Sequence, residues 1–227
     1  MFSRISNLFR RSYDPVKPGR RGRDIGEVVA KTLEGRWPAG FQRVHDLTWV
    51  SESENHIRRI FEFQAMKGVT FSACWGISID FVPLTGRKGL AWKRTAKTAV
   101  CDLTIDPIDV SGSIPDWCSF FHNDDDRRIQ KVARVSLEAA KADWAKLNSL
   151  SEIVACFESR SQMTFERFSL ENYTQTHLAW GLALIALGRA AEGQKHLEDY
   201  AERTGIAPDH PILAKATAIA GETARTT

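Results

Sequence analysis

A single stretch of strict alternation constrains the fold of this chain more than any other feature of its sequence. Over residues 69–81 all seven odd-numbered positions are apolar, and the positions between them carry Thr, Ser, Cys, Gly, Ser and Asp. A period of two over this length predicts a long, half-buried β-strand whose odd-numbered side chains lie in the core. Because the run exceeds the usual length of a strand, we expect a bend or bulge near Gly76.

The even-numbered face of this strand leaves two interpretations open. Its side chains are all small, and they belong to Thr70, Ser72, Cys74, Gly76 and Ser78. Small side chains allow another layer to approach closely, so either a helix or a ligand covers this face. We favour a helix, because the predicted helices outnumber those that one sheet face needs.

Shorter segments with the same period surround the long strand. Alternation predicts strands near residues 47–49, over 57–66 and over 98–106, and Lys67-Gly68 predicts a tight hairpin turn. In the last of these strands the apolar face consists of Ala99, Cys101, Leu103 and Ile105. Successive strands with short connections indicate an antiparallel meander.

Helical spacing of apolar residues dominates the remaining sequence. A helix is predicted over residues 25–33 with Asp24 as its N-cap, and further helices fill the second half of the chain. Ser149 opens a capping box, Gly188 ends one helix and Pro211 begins the last. The fold class is therefore α+β, with an N-terminal helix, an antiparallel β-meander and then a C-terminal set of four or five helices.

Positive charge is concentrated at the start of the chain. Residues 1–23 hold seven of the 31 basic groups and one of the 28 acidic groups, which leaves 24 basic and 27 acidic groups in the remainder. Excess negative charge in the body argues against a general nucleic-acid binder, whose affinity rests on neutralising phosphates. We divide the chain into a basic tail or linker over 1–23, an α+β domain over 24–165 and a helical appendage packed on it over 166–227.

The N-terminal segment has an amphipathic pattern that admits three interpretations. Its stripe of apolar side chains lies beside arginines and consists of Phe2, Ile5, Leu8 and Phe9. The pattern fits weak contact of residues 1–11 with an anionic membrane surface, an organellar presequence, or a short terminal helix that frays or docks on its own domain. No apolar signal-sequence core is visible, and the four cysteines show no CxxC spacing. We therefore predict a cytoplasmic protein with reduced thiols.

No motif predicts catalytic residues, a cofactor or a metal. The GxxxxGK and GxGxxG phosphate-binding patterns, the GxSxG elbow and HExxH are all missing from the sequence. Three aspartates resemble the carboxylates of acid–base catalysis, but no partner nucleophile accompanies them: Asp102, Asp106 and Asp109.

The best candidate for metal ligation is the pair Cys118 and His122, which three consecutive aspartates at 124–126 follow. Acidic residues are also what the first turn of a helix prefers, because they complement its dipole. We favour the second interpretation, with a helix that begins near Arg127, and predict no metal site.

A basic connection between two strands is the candidate binding site. It combines five cations with one tryptophan, namely Arg87, Lys88, Trp92, Lys93, Arg94 and Lys97. An exposed aromatic ring among cations can stack on a base while the cations bind phosphates. Alternatively, the segment is a solvated loop and Trp92 folds back onto the core.

Part of the strand region resembles a known family. Gly40-Phe41 follows a predicted helix, Trp49 is an aromatic strand residue, and FEFQ at 61–64 leads to FSACWGI at 71–77. In these features residues 40–82 resemble a bacterial family of domains of unknown function, domain-of-unknown-function family 4304. The resemblance implies a helix, a meander of strands and trailing helices, and it implies no activity.

Residues 178–208 resemble one tetratricopeptide-type helical hairpin. Gly181 stands where that repeat needs a small residue, Gly188 stands at the turn between the helices, and Leu184 and Leu197 occupy packing positions. Gly193 replaces the usual alanine. Because an array of such repeats needs about three copies, we expect this hairpin to pack on the sheet domain or on a partner.

These patterns together predict a non-enzymatic bacterial protein that binds another protein, as an adaptor or immunity-like module. The alternative is a small enzyme or a nucleic-acid or phosphate-binding factor that uses the basic segment over 87–97.

Overall fold

The computed structural model describes residues 21–66, 70–86, 89–105, 115–163 and 174–223. Several predicted features lie outside these residues, namely the turn at Lys67-Gly68, Asp106, Asp109 and all of the basic tail before residue 21.

An N-terminal helix, an antiparallel sheet and five further helices follow one another in the described residues, which confirms the predicted α+β class. The helices are α1 (Gly22–Leu33), α2 (Asp126–Trp144), α3 (Leu150–Ser161), α4 (Thr174–Ala186), α5 (Ala190–Thr204) and α6 (Pro211–Thr223). The strands are β1 (Gln42–His45), β2 (Thr48–Val50), β3 (Ile57–Met66), β4 (Thr70–Ile79), β5 (Leu84–Gly86), β6 (Gly89–Ala91), β7 (Leu103–Thr104) and β8 (Ser119–Phe121).

The six-stranded sheet has β4 as its most connected strand. Its order is β1-β2-β3-β4-β7, and β8 also pairs with β4. β3 and β4 pair without interruption from Ile57 opposite Ile79 to Met66 opposite Thr70. Because β3 occupies one edge of β4 along its whole length, β7 and β8 share the other edge at different ends. β5 and β6 form a separate two-stranded hairpin.

Of the bend or bulge expected near Gly76, the bulge is wrong, because the register between β3 and β4 does not shift there. Gly76 instead allows β7 to approach closely. A Cβ atom at this position would lie 2.1 Å from the carbonyl oxygen of Leu103, a distance that no side chain tolerates. The glycine is therefore a requirement of strand packing.

Both faces of β4 are buried over residues 72–79, so the prediction of a half-buried strand is wrong there. Helix α2 packs against the odd-numbered face through two indole hydrogen bonds. The Nε1 of Trp75 donates to Asp143 Oδ2 at 3.0 Å, and the Nε1 of Trp144 donates to the carbonyl of Gly76 at 3.3 Å. Phe71 is the second residue of β4 and stays partly exposed.

The strand predicted over residues 98–106 is largely absent. Within the described residues 98–105 the strand is shortened to Leu103–Thr104, with backbone hydrogen bonds from Asp102 and Ile105 to β4 on either side, and residues 96–98 form a short 3-10 helix. Of the predicted apolar face, Leu103 is fully buried, whereas Ala99 and Cys101 are half-buried. Asp102, which the alternation placed on a polar face, is buried as well.

Local capping signals place most helix ends correctly. The Asp125 side chain accepts a hydrogen bond from the Arg128 amide, and the predicted capping box of Ser149 is present before α3. Helix α6 begins at Pro211 as predicted. The prediction of Asp24 as N-cap is wrong, because α1 begins at Gly22 and places Asp24 in its first turn.

Side chains close part of the outer edge of β8. The amide of Phe121 donates to Asp124 Oδ2 at 2.9 Å. The Arg128 guanidinium donates to the carbonyl of Ser119 at 3.0 Å. These backbone groups would otherwise be available to another strand.

Two glycines allow α4 and α5 to pack closely as an antiparallel hairpin. A Cβ at Gly193 would lie 2.5 Å from the Gly181 carbonyl oxygen, and a Cβ at Gly181 would lie 2.8 Å from the Gly193 carbonyl oxygen. Gly188 forms the turn with φ of +77°, in the region that glycine adopts most readily. The backbones of the two helices are therefore nearly in contact.

Candidate functional site

The described residues of the predicted basic site do not form one exposed group of cations around a tryptophan. Arg87 and Lys88 lie outside the described residues, between β5 and β6. Lys93 and Lys97 are exposed. Trp92 is half-buried against the core, and the Nζ atom of Lys215 lies 4.4 Å from the centre of its ring. The alternative in which Trp92 folds back onto the core agrees with this placement.

Arg94 requires a correction, because the sequence places it among solvated cations and the structure buries it. Its Nη1 and Nη2 atoms donate to the two carboxylate oxygens of Asp102 at 2.5 and 2.9 Å. Nη1 also lies 3.0 Å from the hydroxyl of Ser78. Both charged side chains are 0% exposed. A guanidinium that is buried and doubly bound to a carboxylate is not free to contact a phosphate.

The carboxyl of Asp102 is held in an environment that opposes its charge. Burial raises the pKa of Asp102, while the charge and hydrogen bonds of Arg94 and the amide of Ile79 lower it in part. The Ile79 amide donates to Asp102 Oδ2 at 2.7 Å. The group therefore fixes residues 94–102 to β4 and has no exposed surface on which to act as a catalyst.

The same ion pair covers one end of the even-numbered face of β4, whose side chains are all small. At Ser78 the covering group is the guanidinium of Arg94, which comes from an irregular segment. The expectation that a helix covers this end of the face is therefore wrong.

A row of side chains on the same face of the sheet is exposed at its other end. Met66 on β3 and Phe121 on β8 both lie directly opposite Thr70 on β4. Residues paired in this way project from the same side of a sheet. Met66 is 42% exposed and Phe121 is 54% exposed. We call Met66, Phe121 and the half-buried Thr70 between them the exposed row.

Polar groups surround the exposed row. Glu62 and Gln64 precede Met66 on the same face of β3. The Gln64 side-chain amide donates to Glu62 Oε1 at 2.6 Å. Ser119 precedes Phe121 on β8 and is half-buried. An apolar centre with a polar rim is the usual composition of a protein-binding surface.

One group of three metal-ligating side chains converges in the described part of the chain, and it is not the predicted candidate. The group consists of His177 on α4 and of His196 and Asp199 on α5, with all ligand atoms within 4.8 Å of one another. Cys118 does not take part, because it is buried and its thiol donates to the carbonyl of Pro115 at 3.1 Å.

The geometry of this histidine cluster is compact. The Nδ1 atom of His177 lies 3.3 Å from Nδ1 of His196 and 3.6 Å from Oδ2 of Asp199. His177 is buried, His196 is half-buried and the Asp199 side chain is 53% exposed. The cluster therefore reaches from the helix interface to the surface.

The sequence interpretation missed this cluster because the histidines show no ligand spacing along the chain. A usable signal was nevertheless present in the predicted hairpin. His177 lies as many residues before Gly188 as Asp199 lies after it, and antiparallel helices bring such positions together. His196 precedes Asp199 by one helical turn and so lies on the same face of α5.

No protein-family model, no curated protein and no solved structure matches this chain. Among the described residues, no helix combines the length and the apolar composition needed to cross a membrane.

Proposed function

We propose that the protein acts by binding another protein, as a non-enzymatic adaptor or immunity-like module. The exposed row of Met66, Thr70 and Phe121 is the observation that carries this proposal. It places a largely exposed aromatic ring and a flexible thioether on one sheet face. Both side-chain types are enriched where proteins bind one another.

The edge of β8 beside the exposed row determines how a partner docks. Asp124 and Arg128 already occupy the Phe121 amide and the Ser119 carbonyl at this edge. A partner that extended the sheet would have to displace both side chains. Docking of side chains onto the face, with Phe121 as the anchor, requires no such displacement.

The placement of the basic residues favours a protein partner over nucleic acid or phosphate. Of the four basic-site residues whose side chains are described, Arg94 is paired with Asp102 and Trp92 is covered in part by Lys215. Lys93 and Lys97 remain as exposed cations. Within the described residues, two exposed cations without an exposed stacking ring provide little of the affinity that the alternative function requires.

Site-specific photo-crosslinking in the native cells tests the proposal. A benzophenone amino acid replaces Phe121 in one variant and Val135 in a matched control, because Val135 is an exposed apolar residue on α2. We expect a discrete protein adduct at position 121 and none at position 135. The adduct should disappear when Met66→Asp is added to the same variant.

Two outcomes would contradict the proposal. Equal labelling at positions 121 and 135 would show that exposure alone determines the crosslinks. A nuclease-sensitive adduct, formed with the same probe at Lys97, would favour the nucleic-acid alternative. Circular dichroism of each variant provides the control for folding.

A further inference from the structure

We propose that His177, His196 and Asp199 form a binding site for a divalent transition metal of the zinc class. The ion would bridge α4 and α5 with three protein ligands and leave a fourth position open to solvent. The distances, the ligand types and the rigidity of the site support this assignment, which does not depend on the proposed protein-binding function.

The distances match those between ligands of one tetrahedral ion. Bonds of about 2.0–2.1 Å at tetrahedral angles place neighbouring ligand atoms about 3.3–3.4 Å apart. The two imidazole nitrogens are 3.3 Å apart, and the nearer carboxylate oxygen is 3.6 Å from Nδ1 of His177. Two of the three separations are therefore close to the tetrahedral value, and the third, between His196 and Asp199, is within 4.8 Å.

The ligand types select the class of metal. Two imidazoles and one carboxylate suit zinc, nickel, cobalt and iron, whereas calcium and magnesium prefer sites built from oxygen ligands alone. Three protein ligands with an open fourth position are also the usual arrangement of zinc sites that bind water or a substrate.

Packing holds the ligands in place before any ion binds. The ring of His196 stacks on Trp180 with centroids 4.0 Å apart, and Trp180 in turn stacks on Phe157 at 5.6 Å. The contact between Gly181 and Gly193 fixes the separation of the two helices. A site whose ligands are already oriented loses less entropy when the ion binds.

The site is accessible from one side. His177 lies in the helix interface, whereas the carboxylate of Asp199 lies at the surface. An ion can enter past Asp199, and a water molecule can occupy the fourth position. The competing explanation is a purely structural one, in which the two imidazoles share a hydrogen bond and Asp199 pairs with them.

Zinc titration of the chelator-treated full chain separates these explanations. We expect binding of one zinc ion per chain by calorimetry. At a hundredfold excess of zinc over its dissociation constant, we expect Tm to rise by about 5–10 °C, because the native state alone holds the three ligands together.

Two ligand variants and two matched controls locate the ion. His177→Ala and Asp199→Asn should each weaken zinc binding by about tenfold or more, which reduces the Tm rise at the same zinc concentration to about half or less. The controls His45→Ala and Glu202→Gln remove an exposed histidine and an exposed acid elsewhere, and they should bind like the wild type. Asp199→Asn keeps the test decisive if His177→Ala fails to fold, because Asp199 lies at the surface.

Cobalt provides a spectroscopic readout that a structural cluster cannot give. Co²⁺ at this site should show the visible absorption bands of tetrahedral coordination without the charge-transfer band of a thiolate ligand. Zinc binding that survives both ligand variants, or a Tm that is indifferent to zinc in the wild type, would overturn the proposal. A thiolate band would assign the ion to a cysteine and would overturn it as well.

Discussion

Two polar clusters of this protein differ in how far they are open to solvent. Arg94 and Asp102 form a closed unit on the sheet, in which opposite charges meet and neither side chain reaches solvent. The cluster of His177, His196 and Asp199 lies between two helices, and its ligand atoms converge within 4.8 Å of one another. One of its members, Asp199, is largely exposed.

The difference separates an architectural cluster from one suited to a ligand. A buried charge must be paired, and removing one member of the pair is costly because the other remains buried. Converging donor atoms with access to solvent have the geometry of a site that an ion can complete. Burial of polar residues by itself therefore does not identify a functional site. Donor atoms that converge on one point and can be reached from solvent are the better indication.

The largest expected effect comes from Arg94→Ala. The substitution leaves the carboxylate of Asp102 buried without a counter-charge, so the free energy of unfolding should fall by about 3–5 kcal/mol. Urea denaturation measures the change, and zinc should not reverse it. The neighbouring control Lys93→Ala should stay within about 0.5 kcal/mol of the wild type. A small effect of Arg94→Ala would mean that the closed cluster is not architectural.

A paired substitution sharpens this test. In the double variant Arg94→Met, Asp102→Asn both charges are removed, and the new amide can still accept the hydrogen bond from Ile79. We expect the double variant to be more stable than Arg94→Ala by about 1–3 kcal/mol. If the double variant is less stable than Arg94→Ala, the loss of charge pairing does not explain the destabilisation that Arg94→Ala causes.

Gly193→Ala tests the packing that brings the histidines together. The added methyl group would lie 2.5 Å from the Gly181 carbonyl and 2.7 Å from Cγ1 of Ile185. We expect a loss of about 1–3 kcal/mol and weaker zinc binding, because the helices must move apart. Gly221→Ala in α6 is the matched control, since nothing lies within 4 Å, and it should stabilise the protein by about 0.5–1 kcal/mol.

The smallest expected effect is that of Asp199→Asn in the metal-free protein. Its side chain is at the surface, so the free energy of unfolding measured in chelator should change by no more than about 0.5 kcal/mol. This result would distinguish Asp199 from the buried carboxylate of Asp102. A large loss in chelator would indicate that the histidine cluster is itself a structural ion pair.

The features that the sequence predicted well depend on neighbouring residues. The alternation over residues 57–66 predicts β3 with the bounds that the structure shows. The acidic run at 124–126 and the capping box at Ser149 predict two helix starts to within a residue. These patterns are readable because each hydrogen bond or apolar face involves positions a few residues apart.

The features that it missed depend on residues far apart along the chain. Strand β8 has three residues and no repeating pattern of its own, and it exists because it pairs with Thr70 and its neighbours. In the sequence Arg94 resembles the other cations of its segment, and only the folded structure shows that it pairs with the buried Asp102. His177 and His196 come together only through the turn at Gly188. Tertiary contact, rather than local pattern, therefore determines each candidate site.

The closed edge of β8 has a consequence for the behaviour of the protein at high concentration. An unprotected strand edge is a template on which identical chains can stack into insoluble fibrils. Asp124 and Arg128 cover two backbone groups of this edge with charged side chains that belong to the turn and the first helical turn after it. The protein can therefore present an exposed phenylalanine at the end of its sheet while that edge resists self-polymerisation.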